Sequence, residues 1–124
     1  MARPGAGVEW IVDVVRCRPS VLRQRARLEA LFRRLVRELA LRPVGKPPWH
    51  RFPRTGGLTG AWILAESHLT IHTFPEHASC CLNLFCCSRR PGPLWKRALG
   101  PLGADRGVRV RRVVRTYRGE GGGC

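Results

Sequence analysis

The stretch "AESHLTIHTFPEH", residues 65 to 77, gathers three of the chain's four histidines and two of its eight acidic residues around one serine. Shortly after it, "CCLNLFCC" (80 to 87) holds four of the six cysteines. Side chains of these types could bind a soft metal, build a nucleophilic site, or move protons near neutral pH, where histidine titrates. A metal site would need His68, His72 and His77 to converge with the cysteines. The His-x-x-x-His spacing suits a helix, but "HLTIHT" has the β-branched alternation of a strand, whose period of two also puts His68 and His72 on one face. The cysteines come as adjacent pairs that point oppositely in a strand, unlike the Cys-x-x-Cys loops of structural zinc sites, so no metal is expected. A serine hydrolase is disfavoured too: Ser67 lacks the G-x-S-x-G elbow, and no acid is placed to orient a histidine.

The surrounding elements must position these residues. "VEWIVDVV" (8 to 15) reads as a strand with Trp10, Val12 and Val14 on one face. Ser20 is the expected N-cap of a helix from Val21 to Leu41, in which Leu28, Leu31, Phe32, Leu35 and Leu39 recur at three-to-four spacing, with arginines on the remaining face. "RPVGKPPWHRFPRTGG" (42 to 57) reads as a proline- and glycine-rich loop, unusually aromatic for one. Three short strands are expected at 61 to 66, 68 to 73 and 80 to 87, then a short helix near Pro93 to Leu99 and a final strand at 108 to 117. The resulting order βαβββαβ predicts an α+β two-layer sandwich, a mostly antiparallel sheet with helices on one face. The 124 residues suit a single domain over 1–124.

Composition bounds the function. No apolar run is long enough to span a membrane and the start lacks the pattern of a signal peptide, so a soluble, cytoplasmic protein with no membrane partner is expected. Paired cysteines in a hydrophobic run without an export signal favour reduced thiols; Cys80 and Cys81 read as packing residues, and Cys124 as incidental to a glycine-rich tail. The net charge of +15 invites a nucleic-acid reading, but 21 of the 23 basic residues are arginines spread along the whole chain. Without a recognised nucleic-acid motif, no nucleic acid is expected as partner.

"GGLTGAWILAESHLTIHTFPEH", followed by "CCLNLFCC", closely resembles the core motif of the bacterial and archaeal S-adenosylmethionine decarboxylase proenzymes, which process themselves and work through a pyruvoyl group. "HRF" (50 to 52) and Cys17 with Leu22 extend the likeness. The resemblance implies cleavage between Glu66 and Ser67, giving a β chain (1–66) and an α chain (67–124) that begins with a pyruvoyl cofactor made from Ser67. That group would form a Schiff base with the substrate amine and accept the electrons released with CO2. By motif position His72 is the processing base, Thr59 a hydroxyl supporting processing, and Cys87 the general acid in turnover, with Cys86 pointing the other way. Phe52 and Phe74 match the aromatic pair that stacks on adenine, and Glu76 a polar contact in the pocket. His68 carries equal claims as a polar strand residue and as a participant.

The implied function is decarboxylation of S-adenosylmethionine to the aminopropyl donor of spermidine and polyamine synthesis, by a homodimer of αβ units. Some relatives act on arginine or ornithine, so a same-family decarboxylase of those substrates is the alternative, and a non-enzymatic nucleic-acid-binding protein on this scaffold is a third reading. The chain departs from the family pattern at Phe74, where Trp is usual, at Asn83, a frequent Asp position, at Asp13, near a usual Glu, and at "ASCC" (78 to 81), which replaces Gly-Tyr-Ala-Ala.

Overall fold

The structure, a computed structural model, describes residues 5–88, 91–103 and 107–118. Among these residues the elements run β1 (Ala6–Val14), α1 (Pro19–Leu22), α2 (Arg25–Glu38), β2 (Trp49–Arg51), β3 (Leu58–Leu64), β4 (Ser67–Phe74), β5 (Ser79–Cys86), α3 (Trp95–Leu99) and β6 (Val108–Thr116). The strands form one sheet in the order β2-β3-β4-β5-β1-β6, and every pairing is antiparallel. The helices cover one face, so the expected two-layer α+β sandwich is the fold. Among the described residues, no helix is long and apolar enough to cross a membrane. Cys124 lies outside the described residues.

Alternation decides which face each strand buries. On β1, Val8, Trp10, Val12 and Val14 point into the core, while Glu9, Ile11 and Asp13 point to the helix-free face. On β4, Ser67, Leu69, Ile71 and Thr73 are inward, and His68, Thr70, His72 and Phe74 outward. Helix α2 meets the inward side with Leu28, Leu31, Phe32, Leu35 and Val36; Leu39 packs at its C-terminal cap.

Three local expectations are corrected. The single helix from 21 to 41 is two helices, because two backbone carbonyls that would continue it are taken by other partners. The Leu22 carbonyl accepts from Thr73 Oγ1 at 2.9 Å, and the Arg23 carbonyl from Arg51 at 2.9 Å. Ser20 is not an N-cap: α1 begins at Pro19, Arg18 occupies the cap position, and no side chain caps it. Within the expected loop, residues 49 to 51 form β2, an edge strand bracketed by prolines that lie just outside it. Trp49 draws that strand in by packing on Phe32, with ring centroids 5.1 Å apart, and over Gly60, where any Cβ would strike the indole.

Candidate active site

The chemistry-bearing residues group at opposite ends of β4: His68, His72, Phe74 and Cys81 lie on the helix-free face, and Ser67 begins the strand with its side chain inward. One end is the hairpin joining β3 to β4. Leu64 pairs with Ser67, leaving Ala65 and Glu66 as a two-residue turn, and Glu66 adopts φ 62°. A side chain in this left-handed region costs about 1 kcal/mol or more, so strain sits on the residue whose carbonyl joins Ser67. That carbonyl oxygen accepts the backbone N–H of Cys87 at 2.7 Å, just beyond the Ser67–Cys86 pair of β4 and β5. The Ser67 hydroxyl is nearly buried and donates to the Ala65 carbonyl at 3.4 Å, a long bond that leaves it weakly held. Cys86 is buried in the core and the next residue, Cys87, is partly exposed, so the two thiols diverge as strand alternation requires. The Tyr117 hydroxyl donates to the Cys87 carbonyl at 3.1 Å, holding the Cys87 peptide from its other side.

A polar network adjoins this end. His68 stacks on Phe85, with centroids 5.6 Å apart and planes 15° from parallel, and the Arg115 guanidinium lies 5.9 Å from the same ring. Glu9 receives Asn83 Nδ2 at 2.6 Å and pairs with Arg115. The Asn83 bond, with help from Arg115, lowers the Glu9 carboxyl below its usual range against the opposing effect of burial. An aspartate at position 83 would set two carboxylates against each other, so the asparagine here suits an ionised Glu9.

The other end of β4 holds His72. Its Nδ1 shares a 2.9 Å hydrogen bond with the Thr59 hydroxyl, its register partner on β3, while Cys81 is its partner on β5. Cys81 reaches Asp13 at 3.5 Å; burial first, then this carboxylate, push its thiol up, favouring the neutral form. Beyond β4, Phe52, Phe74 and Glu76 line one cavity of about 340 Å³ together with Arg54, Thr55 and Thr73. The three pocket residues expected from the sequence therefore share a site. Phe52 is fixed there by a tight loop in which its N–H donates to Gly57 at 2.8 Å and its carbonyl accepts from Gly56 at 2.9 Å.

Within one chain, Ser67 and Cys87 come together, as do His72 and Thr59, and Phe52, Phe74 and Glu76. The Ser67–Cys87 group does not meet the His72–Thr59 group, whereas Phe74 follows His72 by two residues on the same outward face of β4. Five residues of extended strand separate Ser67 from His72, about 17 Å at ~3.4 Å per residue. His77 sits in a 3-10 turn, Pro75–His77, off the strand that carries His68 and His72. Among the described residues, no three His, Cys, Asp or Glu side chains are grouped to hold a metal ion. Sequence reasoning did not single out Glu9, Tyr117 or Thr73. Thr73 left one signal, as a hydroxyl that follows two aliphatic residues on the inward stripe; the other two become visible only once β1, β5 and β6 are paired.

The sequence profile of the family described as S-adenosylmethionine decarboxylase matches residues 8–116. An S-adenosylmethionine decarboxylase proenzyme of Clostridium botulinum strain Hall is 33% identical over 84 residues, covering 68% of this chain and 71% of that protein. One from Hydrogenobaculum sp. strain Y04AAS1 is 26% identical over 120 residues, covering 92% of this chain and 87% of the relative. In fold, the crystal structure of the adenosylmethionine decarboxylase from Aquifex aeolicus VF5 superposes with a TM-score of 0.69 over 92% of both chains, at 19% identity. The two-layer fold, the serine at a strained hairpin and these matches lead to one conclusion: the chain belongs to the S-adenosylmethionine decarboxylase family.

Proposed function

We propose that this chain is a self-processing, pyruvoyl-dependent decarboxylase of S-adenosylmethionine, acting in the cytoplasm to supply polyamine synthesis. The observation that carries the reading is the Glu66 carbonyl, which follows a left-handed φ, precedes Ser67 and already accepts the Cys87 N–H. Attack of Ser67 Oγ on that carbonyl carbon converts the amide into an ester through an oxyanion that the Cys87 N–H stabilises. Loss of the Ser67 Cα proton to the His72 imidazole, poised by Thr59, then expels the Glu66 carboxylate. Water enters and ammonia leaves as the former serine becomes the pyruvoyl group, so one domain over 1–124 yields chains 1–66 and 67–124.

Ser67, at the head of the new chain, fits the position the cofactor requires. The pyruvoyl group supplies the electron sink for the pair released with CO2. Phe52 and Phe74 hold the adenine between ring faces, and Glu76 favours a cationic substrate over an anionic one. The Cys87 thiol delivers the proton to the carbon that has lost CO2.

His72 can reach Ser67 only from another chain, so the working unit is a homodimer. A two-fold axis lying between two helix-free faces and across the strands would set the Thr59–His72 end of one β4 against the Ser67–Cys87 end of the other. Such pairing also covers Ala61, Ile63, Phe85 and Ile11 on that face. Ile63 is 68% exposed in the single chain.

Two experiments test this function. Mass spectrometry of the incubated protein should find residues 67–124 with a pyruvoyl N-terminus, and an intact chain after prolonged incubation overturns self-processing. CO2 release should occur from S-adenosylmethionine in preference to arginine or ornithine. For the shared site, chains carrying Ser67→Ala and His72→Ala, each inactive alone, should regain cleavage and activity when co-expressed; a mixture that stays inert refutes the dimeric site.

A further inference from the structure

Strand β6 closes one rim of the sheet and is hydrogen-bonded to β1 on one side only. Its other side presents, at every second residue, a backbone N–H and C=O that no described strand takes. The two rims differ. At the opposite one β2 is three residues long and bracketed by prolines, which blunts it, whereas β6 runs for nine residues, "VRVRRVVRT", without proline or bulge.

Alternation gives this strand two unlike faces. On the helix side lie Val108, Val110, Arg112 and Val114, opposite Val14, Val12, Trp10 and Val8 of β1. Those β1 residues are buried and Val108 packs against the core beside them, but Val110 and Val114 are 40% and 48% exposed. The helical cover therefore gives out along β6. On the helix-free face lie Arg109, Arg111, Val113 and Arg115. Arg115 is held by Glu9, while Arg109, Arg111 and Arg112 pair with no carboxylate among the described residues. Asp13, the register partner of Arg109, accepts from Cys81 instead.

We propose that β6 is a docking edge for an acidic extended segment of another protein, which adds a further strand to the six-stranded sheet. In that segment acidic and apolar residues alternate. The acids lie beside Arg109, Arg111 and Arg115 on one face, and the apolar side chains beside Val110 and Val114 on the other. Main-chain hydrogen bonds supply affinity, and charge selects the partner. A second copy of β6 does not fit: it brings four arginines against four with no acid between them, and like charges opposite each other in a sheet repel. Nucleic acid would use the arginines but leave the valines and the open backbone groups idle. The pairing groups lie in the plane of the sheet, so the edge stays open when two helix-free faces stack, and it depends on the fold rather than on the decarboxylation chemistry.

The full chain is titrated into a fluorescent peptide of alternating valine and glutamate, as long as β6, and anisotropy is read. Matched peptides carry lysine for every glutamate, or proline at the centre. The glutamate peptide should bind saturably and slow amide exchange across residues 108 to 116, and central proline should weaken it by about tenfold or more, because proline cannot donate to the ladder. Arg109→Glu combined with Arg111→Glu should weaken the glutamate peptide by about tenfold or more and bring in the lysine peptide, a reversal that misfolding cannot produce. Four results would each overturn the proposal: no binding of the glutamate peptide, equal binding of its proline form, its displacement by duplex DNA at physiological salt, or protection of residues 108 to 116 without peptide that is lost on dilution, the mark of a second copy on the edge.

Discussion

The backbone N–H of Cys87 donates to the carbonyl oxygen of Glu66 at 2.7 Å. One residue thus presents its amide to the carbonyl at the proposed chain break and its thiol to the helix-free face, where turnover would follow. The two tasks can be separated by mutation, since a side-chain change leaves the amide in place.

Ser67→Ala removes the attacking oxygen without disturbing the hairpin. The chain should fold with the same secondary structure and remain a single 124-residue species, as read by denaturing gel and intact mass. Recovery of the two fragments would remove Ser67 from the reaction.

Cys87→Ser keeps the amide donor and replaces the thiol with a far weaker acid. Cleavage should continue at a comparable rate, while kcat falls by a factor on the order of 10² and the enzyme inactivates within few turnovers. Progress curves that match the parent would show that the thiol takes no part.

Glu9→Gln probes the carboxylate held below its usual range by Asn83 and then by Arg115. A carboxyl lowered in the folded state contributes stability above its unfolded pKa, about 4.5, and loses it as pH falls through the folded value. Because Arg115 is half exposed, the Asn83 bond contributes the larger part. The variant should be less stable by about 1 kcal/mol at pH 7 and converge on the parent as pH falls through the folded value, in urea titrations at neutral and acid pH. A difference that persists undiminished in acid would show that packing, not charge, is responsible.

Thr73→Val keeps the shape of a buried side chain and deletes its hydroxyl. Thr73 Oγ1 accepts from the Leu58 N–H at 2.8 Å and donates to the Leu22 carbonyl at 2.9 Å, so both groups would be orphaned. The expected loss is about 2 kcal/mol, measured by chemical denaturation. A neutral effect would mean that α1 and α2 do not depend on this bridge for their separation.

Much of the fold is legible in the chain itself. The inward valines of β1, the β-branched alternation of "HLTIHT" and the three-to-four spacing of Leu28, Leu31, Phe32 and Leu35 each record burial within a few residues. Such local patterns are enough for strands, a helix and their covered faces. The edge strand β2 left no comparable trace: it is three residues long, lies between prolines, and exists because Trp49 packs on Phe32 and Gly60. The break between α1 and α2 was equally silent, since nothing between Val21 and Arg27 opposes a helix; Thr73 and Arg51, both distant in sequence, take the carbonyls instead.

The candidate site divides along the same line. The sequence by itself determined which side chains are present, the serine after a glutamate, the two histidines on one strand face and the diverging cysteines, because residue type and alternation are local properties. Only the tertiary structure decided how they are grouped. Strand register set Cys87 against the Glu66 carbonyl and Thr59 beside His72, and the extended length of β4 kept Ser67 and His72 apart. Register and pairing are relations between segments, settled when the sheet assembles and one face is buried, so no single stretch of sequence contains them.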